Sequence, residues 1–288
     1  MNTISAVGVV GSGTMGRGIA ESALRAGMQV VLYDSSQDAL SAARKHIEGN
    51  LQRSVVKEQL TAQQASDHLA SLKTAGELGA FSGCQLAIEA VPEILEVKLA
   101  VLASLAEHVA GTAIIASNTS SIPVTRLAQG VANRDRFLGV HFFNPVPRMP
   151  LVEVVRTLHS SDASVAVARD FVESGLGKTP VIIEDRPGFV VNALLIPFLL
   201  AAARMLDSGY AEAETIDTSM RLGCGHPMGP LTLADFIGLD VVCAAADAMH
   251  GETHDPALVV PNNLRRLVEA GHFGAKTGRG FLAHETSE

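Results

Sequence analysis

The 288-residue sequence is poor in cysteine and contains no cluster of basic residues. Its three cysteines, Cys84, Cys224 and Cys243, are odd in number and widely spaced, which excludes a disulfide framework and a C-x-x-C motif. They predict buried thiols in a reducing compartment, and we expect the cytoplasm. The net charge of -8 without a basic block argues against a nucleic-acid partner. A polyanionic ligand would therefore need a local basic patch.

The sequence also lacks an unbroken apolar run of the ~20 residues that a membrane span requires. The most apolar segment, PGFVVNALLIPFLLAAARML, is interrupted by Asn192, Pro197 and Arg204, so it predicts a helix buried in a core or a subunit interface. The start of the chain has no charged segment and no cleavage site, which predicts that there is no secretory signal. We expect no membrane partner.

Strand-like and helical segments alternate as far as residue 184, in a composition that is 47% hydrophobic and 18% charged. This alternation predicts an α/β fold with a Rossmann-type, doubly wound parallel sheet over residues 1–184. Within it, residues 37–75 are polar and rich in alanine, and they predict two helices with a break near Thr61.

The pattern changes after residue 184. From Phe189 onward, glycines and prolines separate four predicted helices, one of which spans residues 230–250. We therefore predict a second, all-α domain over residues 185–288.

A G-x-G-x-x-G turn follows the first predicted strand and opens a helix. The turn consists of Gly11, Ser12, Gly13, Thr14, Met15 and Gly16. Its glycines allow a tight turn, a close approach of a pyrophosphate to the backbone, and close helix packing. Asp34 ends the next strand, where it can accept hydrogen bonds from both ribose hydroxyls and would repel the extra phosphate of NADP. The turn therefore predicts binding of NAD.

A second motif, HFFNPVPRMPLVE over residues 141–153, combines a histidine and a carboxylate around a stiff loop. Its three prolines disfavour helix, and its flanks are strand-like, so His141 and Glu153 are expected side by side at two strand ends. A carboxylate fixes the tautomer of an imidazole and stabilises the imidazolium, which makes the pair suitable as a general base. Taken alone, the pair is more often a packed histidine with an unrelated glutamate.

With these motifs in place, nearly the whole sequence resembles the L-3-hydroxyacyl-CoA dehydrogenase family, which includes 3-hydroxybutyryl-CoA dehydrogenase. Beyond the glycine-rich turn and the prolyl loop, the matching segments are EAVPE (89–93), ASNTSS (116–121), PGFVVN (187–192), HPMGP (226–230) and FGAKTGRGF (273–281). The resemblance implies an NAD-dependent oxidoreductase that interconverts (S)-3-hydroxyacyl-CoA and 3-ketoacyl-CoA in fatty-acid β-oxidation or short-chain metabolism. It also implies a homodimer whose active site lies between two domains.

The resemblance assigns roles residue by residue. The catalytic set is His141, the base, Glu153, its partner, and Ser120 and Asn192, which bond the reacting oxygen. The positions near the cofactor are Glu93, Lys98 and Asn118, and those that meet CoA are Arg53 and Lys57. These choices make chemical sense, because hydroxyl and amide groups can donate to a developing oxyanion and two cations one helical turn apart can bind phosphate.

Each assignment has a structural alternative. The SNTSS segment could be only a helix N-cap, Asn192 a buried amide, and Arg53 and Lys57 a solvated face. His250 and His254 are four residues apart, but HGETH is not H-E-x-x-H, so we predict no metal site.

The sequence departs from the family pattern at positions that put interdomain and dimer contacts in doubt. These positions are Ala193, Ala201–Ala203, His226 and Leu282. Two other functions stay open. A dehydrogenase of a free hydroxy acid or sugar acid often uses a lysine base, and no lysine is expected near the His141 loop. A non-catalytic dinucleotide-binding protein would not need the full set of site residues.

Overall fold

The computed structural model describes residues 4–284, so the first three residues of the segment that argued against a secretory signal lie outside the described part. The chain divides into two compact units, Met1–Arg186 and Pro187–Glu288.

The N-terminal unit is built on one eight-stranded sheet. Its strands are β1 (Ala6–Val10), β2 (Gln29–Tyr33), β3 (Leu72–Ala75), β4 (Leu86–Glu89), β5 (Ile114–Ser117), β6 (Phe137–Phe142), β7 (Leu151–Arg156) and β8 (Thr179–Glu184). They lie in the order β3-β2-β1-β4-β5-β6-β7-β8. The first six are parallel, β7 is antiparallel to β6, and β8 is parallel to β7. The predicted Rossmann-type fold is confirmed, with a reversed extension at one edge.

Helices flank this sheet. They are α1 (Thr14–Arg25), α2 (Gln37–Val56), α3 (Ala62–Ala70), α4 (Leu95–His108), α5 (Val124–Leu127) and α6 (Asp162–Asp170). Ile19 and Leu24 of α1 and Ile47 and Leu51 of α2 are buried in one core, which packs the two helices beside each other. Because β4 and β5 are buried along their whole length, they have the continuous apolar character of a sheet covered on both faces.

The predicted break near Thr61 is confirmed, because Thr61 and Gln64 form a capping box that starts α3. The prediction of helix as far as residue 75 is wrong. Residues Leu72–Ala75 form β3, which pairs with β2 along the sheet edge. This strand has four residues and only Leu72 is buried, so the sequence shows no alternation of apolar and polar residues. Pairing with β2 therefore overrides the helical propensity of the segment.

The C-terminal unit is helical. Its helices are α7 (Val191–Asp207), α8 (Ala213–Cys224), α9 (Pro230–Ile237), α10 (Leu239–Thr253) and α11 (Asn262–Glu269). The predicted single helix over 230–250 is wrong, because Gly238 adopts a φ of +107° between α9 and α10, a conformation that ends a helix and favours glycine. Within residues 4–284, no helix has the length and apolar composition to span a membrane.

The three cysteines differ in their environments. Cys84 and Cys243 are buried, and burial raises the pKa of each thiol to about 11. The prediction of a buried thiol is wrong for Cys224, which is exposed at the last residue of α8. Gly225 follows it in a left-handed conformation that turns the chain away from the helix.

Candidate active site

The predicted site segments of the N-terminal unit meet at one edge of its sheet. Because β1, β4, β5 and β6 are parallel neighbours, their carboxyl ends lie together. The glycine-rich turn follows β1, residues 90–94 follow β4, residues 118–121 follow β5, and the prolyl loop follows β6. Ligands of such sheets bind outside the carboxyl ends of the strands.

The glycine-rich turn is shaped by two close backbone approaches. Gly11 has a φ of +100°, and a Cβ there would lie 2.6 Å from the carbonyl oxygen of Ala90. At Gly16, a Cβ would lie 1.8 Å from the carbonyl oxygen of Gly11. Gly13 is different, because a Cβ there would meet no atom within 4 Å. The turn therefore presents open space at Gly13, directly before the N–H groups that begin α1, which suits a pyrophosphate.

Asp34 is held against this turn. Its Oδ2 accepts hydrogen bonds from the backbone N–H and the hydroxyl of Ser12, each at 2.8 Å, and its Oδ1 accepts one from the N–H of Ser36 at 3.0 Å. Burial raises the pKa of Asp34, but the hydrogen bonds from Ser36 and Ser12 outweigh it and hold the pKa below its usual range. A carboxylate has about four acceptor sites, so these three hydrogen bonds leave about one site, on Oδ1, for a ribose hydroxyl.

His141 and Glu153 face each other across β6 and β7. They are register partners in the antiparallel pair, and His141 Nδ1 lies 2.7 Å from Glu153 Oε2. Glu153 is 1% exposed and His141 is 6% exposed. The prolyl loop reverses the chain and so produces the neighbouring positions that the sequence indicated. A neutral imidazole that donates through Nδ1 carries its acceptor lone pair on Nε2.

A lysine does lie on the prolyl loop, so the expectation that none would be near it is wrong. Lys178 Nζ donates to the carbonyl oxygens of Val146 at 2.8 Å and Met149 at 2.7 Å. Burial lowers the pKa of Lys178. The residue immediately precedes β8, and the pairing of β8 with β7 brings it to the loop. Its two carbonyl partners make it a support of the loop.

Glu93 organises the segment that carries Ser120. Its Oε1 accepts hydrogen bonds from the backbone N–H groups of Ser120 and Ser121, at 2.9 and 3.0 Å, and from the hydroxyl groups of Thr119 and Ser121, at 2.5 and 3.0 Å. Burial raises the pKa of Glu93, but the positive charge of Lys98 and the hydrogen bonds lower the pKa by more. The pKa of Glu93 therefore lies below its usual range.

Asn118 links the same segment to the strand of His141. Its side-chain Oδ1 accepts a hydrogen bond of 2.9 Å from the backbone N–H of Phe142, the residue after His141. Asn118 is 8% exposed. Asn118 therefore ties the end of β5 to the end of β6.

Lys98 lies behind Glu93. Its ammonium donates to Glu89 Oε1 at 2.7 Å and the carbonyl oxygen of Val91 at 3.2 Å, and it lies 3.1 Å from Glu93 Oε2. These three partners match the three donors of an ammonium group. Glu89, which the sequence analysis did not identify, also accepts a hydrogen bond of 2.6 Å from the hydroxyl of Ser117. The signal for Glu89 in the sequence was a carboxylate at the last position of an apolar strand.

Arg53 and Lys57 line a cavity of about 500 Å³ in the N-terminal unit, between α1, α2 and the prolyl loop. The other basic residues that line it, missed in the sequence analysis, are Arg17, Arg25, His46 and Arg148. Burial and the charges of Arg17 and Arg53 lower the pKa of His46, against the opposing charge of Glu21. The signal for this basic wall was the helical spacing of basic residues, eight apart at 17 and 25, and seven and four apart at 46, 53 and 57.

The C-terminal unit carries Asn192 and the departures from the family pattern. Asn192 is half-buried in the first turn of α7, and the neighbouring Ala193 N–H donates to the carbonyl oxygen of Gly188 at 3.0 Å. The ring of His226 lies 5.6 Å from that of Phe198, and Leu282 donates its backbone N–H to the buried Asp235. Ala193, His226 and Leu282 therefore make contacts within this unit.

Two family models match the chain in succession: 3-hydroxyacyl-CoA dehydrogenase, NAD binding domain, over residues 6–186, and 3-hydroxyacyl-CoA dehydrogenase, C-terminal domain, over residues 188–284. The chain is 44% identical over 284 residues to a 3-hydroxybutyryl-CoA dehydrogenase of Mycobacterium tuberculosis, covering 98% of this chain and 99% of the relative. It is 40% identical to the mitochondrial hydroxyacyl-coenzyme A dehydrogenase of Homo sapiens, covering 97% and 91%. The crystal structure of (S)-3-hydroxybutyryl-CoA dehydrogenase PaaH1 from Ralstonia eutropha matches with a TM-score of 0.93 and 41% identity, covering 98% of this chain and 100% of that one.

Proposed function

Because this chain belongs to the 3-hydroxyacyl-CoA dehydrogenase family, with the NAD-binding domain of that family as its N-terminal unit, we propose that it interconverts (S)-3-hydroxyacyl-CoA and 3-ketoacyl-CoA in fatty-acid or short-chain acyl-CoA metabolism. The observation that carries the proposal is the buried His141–Glu153 pair, 2.7 Å apart in the unit that also holds the glycine-rich turn.

His141 is the general base in this proposal. Oxidation of the C3 alcohol requires loss of its hydroxyl proton, which Nε2 accepts while Nδ1–H donates to Glu153. The carboxylate of Glu153 stabilises the imidazolium that forms. In the reverse direction the imidazolium returns the proton to the C3 oxygen. Bound NAD supplies the hydride acceptor or donor.

Ser120 and Asn192 donate hydrogen bonds to the C3 oxygen in this scheme. That oxygen carries partial negative charge in either direction, and fixed donors stabilise such charge most when they are already oriented. Glu93 supports the proposal for Ser120, because it fixes the backbone of the segment that carries the hydroxyl. The position of Asn192 in the first turn of α7 gives its amide a fixed backbone.

The residues proposed to contact the cofactor lie along the edge formed by the carboxyl ends of the strands. Gly11, Gly13, Thr14, Met15 and Gly16 would hold the pyrophosphate, and Asp34 would hold the adenosine ribose. Glu93 and Asn118 would lie at the nicotinamide end. Lys98 would act there through Glu93, because its own side chain is 1% exposed and its ammonium is paired within the protein.

The proposed substrate site includes Arg53 and Lys57. Both lie on the wall of the basic cavity, which gives an acidic protein the positive region that a CoA polyphosphate requires. An acyl-CoA is therefore favoured over a free acid of the same chain length.

We also infer a homodimer that acts in the cytoplasm. The C-terminal unit exposes large apolar side chains on several helices, including Leu194 at 72%, Leu222 at 81% and Phe236 at 65%, as expected of a surface that another subunit covers. Free thiols at Cys84, Cys224 and Cys243 are consistent with a reducing compartment.

A direct test compares the oxidation of NADH and NADPH by acetoacetyl-CoA and by free acetoacetate. Turnover with NADH and the thioester alone supports the proposal. Preference for the free acid would favour the dehydrogenase of a free hydroxy acid, and cofactor binding without any turnover would favour a non-catalytic dinucleotide-binding protein.

A further inference from the structure

A buried carboxylate lies in the basic wall of the cavity that contains Arg53. Glu21 of α1 is 2% exposed, and its Oε1 accepts a hydrogen bond of 2.9 Å from Arg25 Nε. Its Oε2 accepts a hydrogen bond of 2.6 Å from the side-chain amide of Asn50 on α2. Arg25 also reaches Ser54 Oγ at 3.0 Å, so the cluster joins the two helices.

The amide of Asn50 is oriented by its two neighbours. A carboxylate only accepts hydrogen bonds, so the Nδ2 group of Asn50 must face Glu21. The Oδ1 of Asn50 then faces Arg53, whose guanidinium only donates, and it accepts a hydrogen bond from Arg53 Nη2. The contacts form a directed series from Glu21 through Asn50 to Arg53.

This series runs from the interior to the cavity surface. Glu21 is buried, Asn50 is half-buried and Arg53 is exposed. An exposed arginine normally loses rotamer freedom when it binds an anion, and a side chain that is already held loses less. A carboxylate near a cationic cavity would by its charge alone weaken the binding of phosphate. Its place there is explained if it positions a cation.

We propose that Glu21 and Asn50 are positioning residues that hold the Arg53 guanidinium ready for the phosphate groups of CoA. This inference rests on the proposed substrate site. It adds two residues to those proposed above for NAD and for the C3 oxygen, and it separates recognition of the nucleotide part of CoA from the chemistry at C3.

The test uses Glu21→Gln. Calorimetry measures its binding of free CoA and of pantetheine, which lacks the nucleotide. Steady-state kinetics compare acetoacetyl-CoA with its N-acetylcysteamine analogue, which also lacks the nucleotide. Glutamine keeps the volume of Glu21, but its one carbonyl oxygen can replace only one of the two carboxylate oxygens that Arg25 and Asn50 contact. We expect the Kd for CoA and the KM for acetoacetyl-CoA to rise by about three- to tenfold. The kcat, and both constants for the compounds without the nucleotide, should stay within about twofold of wild type.

The sign of the change separates positioning from simple charge. If Glu21 acts only as a negative charge, Glu21→Gln tightens CoA binding, which would overturn the proposal. Equal losses on both classes of ligand would also overturn it, because they indicate a general structural role. The control is Glu48→Gln, which removes an exposed carboxylate of α2 that does not line the cavity.

Two further variants keep the test decisive. Asn50→Ala breaks the series at a half-buried position and should reproduce the selective loss if Glu21→Gln does not fold. In an Arg53→Met background, Glu21→Gln should add no further loss of CoA affinity, and a full additive loss would contradict the series. If wild type binds CoA but turns over no thioester, the proposed reaction fails while the binding data still decide the role of Glu21.

Discussion

Lys98 Nζ lies 2.7 Å from Glu89 Oε1, and both side chains are almost completely buried. The pair joins the start of α4 to the end of β4, and through Glu93 it reaches the segment that carries Ser120. Because a carboxylate left alone in the interior is strongly unfavourable, we predict that Lys98→Met lowers the free energy of unfolding by about 3–5 kcal/mol. Chemical denaturation measures this change.

A matched control for this prediction is Arg265→Met, which breaks the exposed pair with Asp247 and should cost less than about 1 kcal/mol. Adding Glu89→Gln to Lys98→Met should recover part of the loss, since it removes the unpaired charge. Equal effects of Lys98→Met and Arg265→Met would show that the buried pair has no special role.

Glu153→Gln tests the partner of the proposed base. Glutamine preserves the size of the side chain but removes the negative charge that stabilises the imidazolium of His141. We expect kcat to fall by at least about tenfold while the Kd for NAD stays nearly unchanged. Steady-state kinetics and calorimetry measure the two effects. A large loss of NAD binding with an unchanged kcat would contradict the assignment of Glu153 as the partner of His141.

Lys178→Met tests the support of the prolyl loop. Loss of two hydrogen bonds from a charged donor should lower the free energy of unfolding by about 1–3 kcal/mol and make the loop more sensitive to proteolysis. The control is Lys73→Met at an exposed position of β3, where little change is expected. If Lys178 were the base of a hydroxy-acid dehydrogenase, its loss would abolish turnover and His141→Gln would not.

Glu93 predicts an acid-dependent contribution to stability. Its pKa in the folded protein lies below the ordinary value of 4.5, so its contribution is complete above that pH and is lost as the pH falls through the folded pKa. The difference in free energy of unfolding between wild type and Glu93→Gln should therefore be largest near neutral pH and narrow below about pH 4.5. Denaturation at a series of pH values measures it, and a difference that grows on acidification would contradict the assignment.

Much of the sheet and the paired histidine could be predicted because their signals are local. The glycines of the turn permit backbone conformations that other residues rarely adopt, and the prolines before Glu153 restrict the backbone, wherever they occur, so Gly11 and His141 could be placed from a few neighbouring residues. The strand at Leu72–Ala75 could not, because it depends on the edge of β2. The break at Gly238 was hidden in an otherwise apolar helical pattern.

The residues that were missed depend on contacts distant in sequence. Lys178 bonds the carbonyl of Val146 only after β7 and β8 have paired, and Glu21 meets Asn50 only after α1 and α2 have packed. The helical spacing of Arg17, Glu21 and Arg25 was visible, but spacing on one helix does not reveal which other helix faces it. Such contacts require the tertiary structure.

The most direct test of the central claim is the rate of hydride transfer in a single turnover, when His141→Gln that is pre-loaded with NADH is mixed with acetoacetyl-CoA. A positioned general acid or base contributes about 10²- to 10⁴-fold, so we expect the rate to fall by at least about a hundredfold while binding of both ligands persists. Retention of more than about a tenth of the wild-type rate would contradict the role of His141, because proton donation by its imidazolium would then contribute less than a positioned general acid does.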